Sequence, residues 1–158
     1  GKNILVVNNA GFKIKNPKRM ILELTNSCNL RCIMCARNHV KFDNSFLTLE
    51  SVKKLKEFYK TAEEVTIFGY GESLLNREFT EILSFLSSFK GLRTYLVTNG
   101  LLLDKFVSDI VKNQLTYLSI SIDAATQETY KKIRGANLND ILKAVEKIND
   151  LKRKFNCS

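Results

Sequence analysis

Four short apolar segments alternate with amphipathic helical patterns along the chain, and this alternation constrains the fold more than any other feature. The predicted strands are Met20–Leu24, Val65–Phe68, Thr94–Val97 and Tyr117–Ile122. Each is almost continuously apolar, which is typical of parallel strands buried on both faces. Strands that alternate with helices favour a parallel sheet with right-handed crossovers. The sequence therefore predicts an α/β fold with its functional residues just after the strand ends.

The boundaries of these elements follow from local signals. Side-chain oxygens that can accept a backbone hydrogen bond mark helix starts. The four predicted N-caps are Thr48, Asp104, Thr126 and Asn139. Before the first strand, an Asn/Gly turn lies between Ile4–Val7 and Phe12–Lys15, which predicts a β-hairpin. We therefore divide the chain into a hairpin and lead-in, residues 1–19, and a core domain, residues 20–158.

Composition narrows the class of protein. The 158 residues suit one domain, and 44% of them are hydrophobic, as in ordinary globular proteins. The net charge of +9 is compatible with nucleic-acid binding, but the lysines fall on predicted helix faces, where solvated side chains belong. We recognise no membrane-spanning segment and no signal peptide. Clustered cysteines without a disulfide pattern favour a reducing compartment, so we expect a cytoplasmic protein.

Three of the four cysteines, Cys28, Cys32 and Cys35, form a CxxxCxxC loop directly after the first predicted strand. Three thiolates on one short loop can bind three irons of a 4Fe–4S cluster, and a fully protein-ligated cluster needs four. The fourth iron would then be open for chemistry. Cys157 lies far along the chain, and nothing in the sequence forces it to fill the open position. A Cys₃His zinc site that uses His39 is the alternative.

The cysteine loop and the strand ends that follow it resemble the radical S-adenosylmethionine (SAM) family. The segment Phe68–Glu72 is similar to the family's Gly-Gly-Glu motif, and Val97–Gly100 is a common strand end in this family. The segment Leu118–Asp123, followed by Ile133–Gly135, resembles the branch that modifies peptides and often carries extra cluster domains, the SPASM type. The resemblance extends from about Met20 to Asn156.

This resemblance implies a partial (βα) TIM-like barrel of parallel strands. Family barrels usually have six βα units, and this sequence shows about four. Two positions depart from the family pattern. Met34 stands where the family usually has an aromatic residue that packs on adenine, and Ser73 follows Glu72 where proline is frequent.

The resemblance also implies two cofactors, a 4Fe–4S cluster and SAM. The residues that it places around SAM are Gly69, Tyr70, Gly71, Glu72, Thr98, Asn99, Ser119, Ser121, Asp123 and Arg134. Glu72 would meet the ammonium of SAM, and Arg134 would pair with its carboxylate. Simpler explanations stay open: a solvated turn for Glu72, Asn-Gly turn chemistry for Thr98 and Asn99, and a surface position for Arg134.

By resemblance, the chain would cleave SAM reductively to a 5′-deoxyadenosyl radical that abstracts hydrogen, with a peptide, protein or natural product as substrate. We assign no catalytic side chain. The expected partners are SAM, an electron donor such as flavodoxin or ferredoxin, and a peptide substrate. An unpaired fourth strand would also favour self-association. Two other functions remain open: a non-catalytic Fe–S or zinc-binding module, and an RNA-modifying radical SAM enzyme.

Overall fold

A computed structural model describes residues 16–41 and 43–155. The predicted hairpin and Cys157 lie outside these residues. The strands are β1 (Arg19–Leu22), β2 (Glu64–Ile67), β3 (Arg93–Thr98) and β4 (Tyr117–Ile120). The helices are α1 (Leu49–Lys53), α2 (Lys56–Tyr59), α3 (Phe79–Ser87), α4 (Leu103–Lys112), α5 (Gln127–Arg134) and α6 (Leu138–Phe155). Two short 3₁₀ helices, Ala36–His39 and Ser73–Leu75, lie in the loops after β1 and β2.

The strands form one parallel sheet in the order β1-β2-β3-β4. This arrangement confirms the predicted α/β class and corresponds to four successive units of a βα barrel. Two strands, β1 and β4, end two residues earlier than the apolar runs suggested, and β2 ends one residue earlier. β1 ends at Leu22 rather than Leu24, and β4 ends at Ile120 rather than Ile122. The residues after each of these ends turn into the loops that carry the predicted site.

The two faces of the sheet differ sharply. On one face, Leu22, Ile67 and Leu96 are buried under the helices, together with Phe79 and Leu103 from α3 and α4. We call this face and the helices on it the packed side. Burial of such side chains is the main source of stability in a domain of this size.

The opposite face, which we call the open face, carries Ile21, Glu23, Phe68, Tyr95, Tyr117 and Ser119. Ile21 is 69% exposed and Tyr117 is 52% exposed. The rings of Tyr95 and Tyr117 stack across neighbouring strands with centroids 4.3 Å apart. In a closed barrel this face would form the interior.

Two of the four predicted helix caps are confirmed. Thr48 Oγ1 accepts a hydrogen bond from Ser51 N at 3.2 Å, and Thr126 Oγ1 accepts one from Thr129 N at 3.3 Å. The prediction for Asp104 is wrong, because α4 begins at Leu103 and the Asp104 carboxylate pairs with Lys147 Nζ at 2.7 Å.

The predicted cap at Asn139 is also wrong. Helix α6 already begins at Leu138, and the Asn137 side chain accepts from Asn139 N at 3.0 Å. In the described ranges, the helices include none that is both long and apolar enough to cross a membrane.

Candidate functional site

The cysteine loop begins just after β1 and is fastened to α5 across the domain. Ile33 N donates to Ile133 O at 3.0 Å, which holds the middle of the loop beside the last turn of α5. Within the loop, Cys35 N donates to Cys32 O at 3.0 Å. Asn38 Nδ2 donates to the same carbonyl at 2.7 Å. These bonds fix the loop backbone while the three thiols, which are all free, remain available as ligands.

Side-chain donors reach two of the three sulfur atoms. Arg134 Nη1 lies 3.7 Å from Cys32 Sγ, and Asn99 Nδ2 lies 3.8 Å from Cys28 Sγ. Burial raises the pKa of the Cys32 thiol, and the neighbouring thiols Cys28 and Cys35 raise it further, whereas the Arg134 guanidinium opposes both effects. Donors of this kind stabilise a thiolate, the form in which cysteine binds metal.

These residues fit the cluster that the sequence suggested. Arg134 Nε is buried and has no hydrogen-bond partner among the described residues, and the same is true of Ser27 Oγ, next to Cys28. Within the same residues, no three or more His, Cys, Asp or Glu side chains are grouped to share a single metal ion. A cubane cluster needs no such convergence, because its three thiolates bind three different irons.

Glu72 joins the loops that follow β2 and β3. It is 2% exposed, and its carboxylate accepts from Thr98 Oγ1 at 2.7 Å, Asn99 N at 2.7 Å and Leu74 N at 3.1 Å. Burial raises the pKa of this carboxyl, and the three donors partly offset that effect. A carboxylate offers about four acceptor positions, so three are already taken by the protein itself. Glu72 is therefore part of the framework that holds the strand ends together.

Gly71 explains how the loop after β2 approaches the loop after β1. A Cβ atom at this position would collide with the carbonyl oxygens of Thr25 and Ser27, and Glu72 N donates to Ser27 O at 2.7 Å. The resemblance places Gly69 and Gly71 around SAM. The close approach at Gly71 is to the chain's own backbone. At Gly69 a Cβ would meet the side chain of Glu23 instead.

The turn after β3 uses its polar side chains internally. Thr98 Oγ1 accepts from Gly100 N at 3.1 Å, and Asn99 Oδ1 accepts from Leu101 N at 3.0 Å. Thr98 and Asn99 are both buried. The turn chemistry left open from the sequence is therefore present. Asn99 also faces the cysteine loop, since its Nδ2 donates to Asn29 Oδ1 at 2.8 Å.

The remaining predicted residues follow β4. Ser119 is exposed on the open face, and Ser121 N continues the pairing with β3 by donating to Thr98 O at 2.9 Å. Asp123 has a left-handed backbone conformation, φ 56°, and its carboxylate is hydrogen-bonded to the Arg134 guanidinium. The structure thus brings Arg134 and Asp123 together beside Cys32.

Two residues near the site were missed from the sequence. Glu23 lies on the open face and accepts from Tyr70 N at 2.6 Å, and a single charged residue inside the run Met20–Leu24 was the signal that could have found it. Asn76 is 3% exposed, and its Nδ2 donates to Leu24 O at 2.8 Å and to Leu47 O at 2.9 Å. No sequence pattern points to Asn76.

The fold and the cysteine loop agree with comparisons to known proteins. The model of the Radical SAM superfamily matches residues 22–157. This chain belongs to the radical SAM superfamily.

One relative is a GTP 3′,8-cyclase from Synechocystis sp., which is 31% identical over 137 residues, covering 82% of this chain and 41% of the relative. An Fe-coproporphyrin III synthase from Methanosarcina barkeri is 28% identical, covering 73% of this chain and 29% of that protein. The chain thus spans less than half the length of these relatives.

Among solved structures, Streptococcus suis SuiB bound to S-adenosylmethionine superimposes with a TM-score of 0.70 at 19% identity, covering 85% of this chain and 32% of SuiB. That likeness supports the fold. Radical SAM proteins are enzymes that use a 4Fe–4S cluster together with SAM, so family membership confirms the two cofactors predicted from the cysteine loop.

Proposed function

We propose that this chain forms much of a core that cleaves SAM reductively, in which Cys28, Cys32 and Cys35 bind three irons of a 4Fe–4S cluster. The observation that carries this proposal is a loop with three free thiols, hydrogen-bonded to α5 and contacted by N–H donors at two sulfurs. When bound, the cluster and SAM together supply a 5′-deoxyadenosyl radical that takes hydrogen from a substrate. The protein's part is to position these groups and to exclude water.

The chain's own residues would perform that positioning in two ways. Hydrogen bonds from Asn38 Nδ2 and Ile33 N fix the backbone that carries the thiols, so little ordering remains when a cluster binds. Glu72 locks the turn after β3 against the loop after β2, which keeps Asn99 facing Cys28. Cys32 is itself buried in the cysteine loop.

The SAM-binding residues remain a proposal, and five of the ten candidates fall into an accessible group and a buried group. The backbone of Gly69 and Tyr70 and the side chain of Ser119 border the open face, where a ligand can reach them. Glu72 and Thr98 are buried and hydrogen-bonded within the protein, so we expect them to support the pocket more than to line it. Calorimetric titration with SAM tests this division: Ser119→Ala should weaken binding, and unchanged affinity would remove Ser119 from the site.

Replacing the cysteines tests the proposed cluster. Cys28→Ala, Cys32→Ala and Cys35→Ala should each abolish iron binding after anaerobic reconstitution, because each removes one of three protein ligands. Cys157→Ala is the control and should leave iron content unchanged. Iron analysis with an absorption spectrum provides the measurement, since zinc gives no visible band. Normal iron content in Cys32→Ala would overturn the assignment.

For the substrate, the peptide or natural-product class predicted from the sequence is one candidate. The similarity to SuiB, which has also been solved bound to its precursor peptide SuiA, favours it. A nucleotide is the second candidate, favoured by the 31% identical relative named a GTP 3′,8-cyclase. SAM consumption measured with GTP and with a candidate peptide separates the two. Stimulation by GTP alone would rule out the peptide class.

Three further predictions from the sequence remain part of the proposal. A one-electron donor such as flavodoxin or ferredoxin is required, because SAM cleavage consumes one electron. A reducing compartment such as the cytoplasm would keep the three thiols free. Self-association is supported by the position of β4 at one edge of the described sheet, where its outer backbone groups can pair with another chain. Light scattering measures self-association, and a monomer at tens of micromolar would contradict this prediction.

A further inference from the structure

Two side chains that resemblance assigned to SAM contact the cysteine sulfurs. Arg134 Nη1 is 3.7 Å from Cys32 Sγ, and Asn99 Nδ2 is 3.8 Å from Cys28 Sγ. Hydrogen bonds and charges close to cluster sulfurs are among the main determinants of a cluster's reduction potential. Neighbouring groups hold both side chains in these positions.

The Arg134 contact is held from three directions. The side chain is 12% exposed, and its guanidinium is hydrogen-bonded to the Asp123 carboxylate. The hydrogen bond from Ile33 N to Ile133 O fixes the cysteine loop beside the residue that precedes Arg134. Gly135 has φ 77° and ends α5 directly after Arg134, with its N–H bonded to Lys131 O at 2.9 Å. Backbone and side chain therefore both hold the cation against Cys32.

The Asn99 contact is fixed by the orientation of its amide. Leu101 N donates to Asn99 Oδ1 at 3.0 Å, so the amide oxygen is engaged by the turn and the amide nitrogen points toward Asn29 and Cys28. Glu72 Oε2 holds the Asn99 backbone through Asn99 N at 2.7 Å. If the Asn99 amide were rotated by 180°, its oxygen would face Cys28 Sγ and its NH₂ group would face Leu101 N–H, so both contacts would be lost.

We propose that Arg134 and Asn99 are positioning residues that set the reduction potential of the cluster, and this proposal rests on the proposed function. The three thiolates outweigh the positive charge of the iron–sulfur core, so the site is already anionic before reduction. Reduction adds one electron, which comes from the external one-electron donor, and the donor is oxidised by one electron. A guanidinium and an amide N–H at the sulfurs stabilise the more negative, reduced state. Both residues therefore raise the potential and favour electron transfer to the site.

Asp123 allows a test of the sign of the effect, because its carboxylate partly neutralises the positive charge of Arg134. Arg134→Gln removes the cation and leaves the Asp123 carboxylate uncompensated, so the potential should fall. Asp123→Asn removes the anion and leaves the guanidinium, so the potential should rise. A residue with a merely structural role would not give opposite shifts from the two sides of one ion pair.

The experiment is a potentiometric titration of anaerobically reconstituted protein, followed by electron paramagnetic resonance and performed without SAM. The absence of SAM separates this role from a contact with the SAM carboxylate. For Arg134→Gln we expect the equilibrium constant for reduction to fall by about tenfold, which corresponds to ~59 mV for a one-electron couple. Asn99→Ala should give a smaller decrease, because it removes a neutral donor. Arg134→Lys keeps the charge and should give a smaller shift than Arg134→Gln.

Lys132→Gln is the matched control. It removes one positive charge from the same helix, but Lys132 is exposed and paired with Glu128 at 2.6 Å, so solvent screens it and the potential should not move. Iron content distinguishes a failure of the proposed function from a failure of this inference. A wild-type chain that binds no iron overturns the proposed function and this inference together.

This inference alone is overturned if iron content is normal and the reduction potential is the same in the wild type, Arg134→Lys, Arg134→Gln, Asp123→Asn and Asn99→Ala. If Arg134→Gln does not retain iron, Asp123→Asn and Asn99→Ala decide the question by the sign of their shifts.

Discussion

The packed side and the open face are built from the same four strands, yet they use their residues in opposite ways. On the packed side, Ile67 and Leu96 are completely buried, and the polar group Glu72 at the adjoining loops is buried with three donors on its carboxylate. On the open face, Ile21 and Phe68 are exposed, and the exposed Glu23 carboxylate accepts from Tyr70 N. Polar groups that stabilise the fold are thus separated from those that remain available to a ligand.

The largest expected difference is between Glu72 and Glu23 in their contribution to the free energy of unfolding. Glu72→Ala leaves three buried donors without an acceptor, so we expect the free energy of unfolding to fall by about 3–5 kcal/mol. Glu23→Ala removes one exposed hydrogen bond, and we expect a change within about 1 kcal/mol. Urea unfolding of both variants provides the measurement. Equal losses in the two variants would show that the difference in burial has no energetic consequence.

The two glycines after β2 should also differ in their effect on stability, by a smaller amount. Gly71→Ala would press a methyl group against the backbone carbonyls of Thr25 and Ser27, which cannot move without shifting the start of the cysteine loop. We expect a loss of about 3 kcal/mol, at the upper end of overpacking costs, together with reduced iron loading. Gly69→Ala meets the Glu23 side chain on the open face, which can rotate away.

The Gly69→Ala variant should therefore lose less than about 1 kcal/mol and bind iron normally. Thermal unfolding and iron analysis on the same samples compare the two variants. Iron loading that falls in Gly69→Ala and survives in Gly71→Ala would reverse the roles given to the two glycines.

The smallest expected change in stability at neutral pH is for Tyr59, in the core of the packed side. The Tyr59 hydroxyl is buried and has no partner among the described residues, and burial raises its pKa to about 12. Tyr59→Phe removes an unpaired polar group and keeps the ring against Phe85 and Phe89, so stability at neutral pH should change by less than about 1 kcal/mol.

The sign of the pH effect follows from linkage. The unfolded hydroxyl loses its proton near its ordinary pKa of 10.0, whereas the folded one keeps it to about 12, so the wild type should lose stability as the pH rises through this interval. Tyr59→Phe should not show this loss. Denaturant unfolding at several alkaline pH values provides the check, and identical slopes in the two proteins would contradict the burial of this group.

Much of the fold could be predicted because it depends on local periodicity. The apolar runs placed all four strands within a few residues, and the caps at Thr48 and Thr126 follow from hydrogen bonds that span three residues. The two wrong caps have different causes, one distant and one local. Asp104 pairs with Lys147 on α6 instead of capping α4, whereas Asn139 N is bonded to the Asn137 side chain only two residues away.

The class of this protein follows from the sequence alone, because a CxxxCxxC loop after a strand is a local pattern and the strand ends that follow it lie at one edge of a parallel sheet. The contacts of the polar residues at that edge depend instead on the three-dimensional packing. Glu72 is used inside the framework, Asn99 and Arg134 face cysteine sulfurs, and Glu23 remains on the open face. These contacts join residues separated by 26 to 102 positions, and their geometry depends on how the loops pack, which no local spacing encodes.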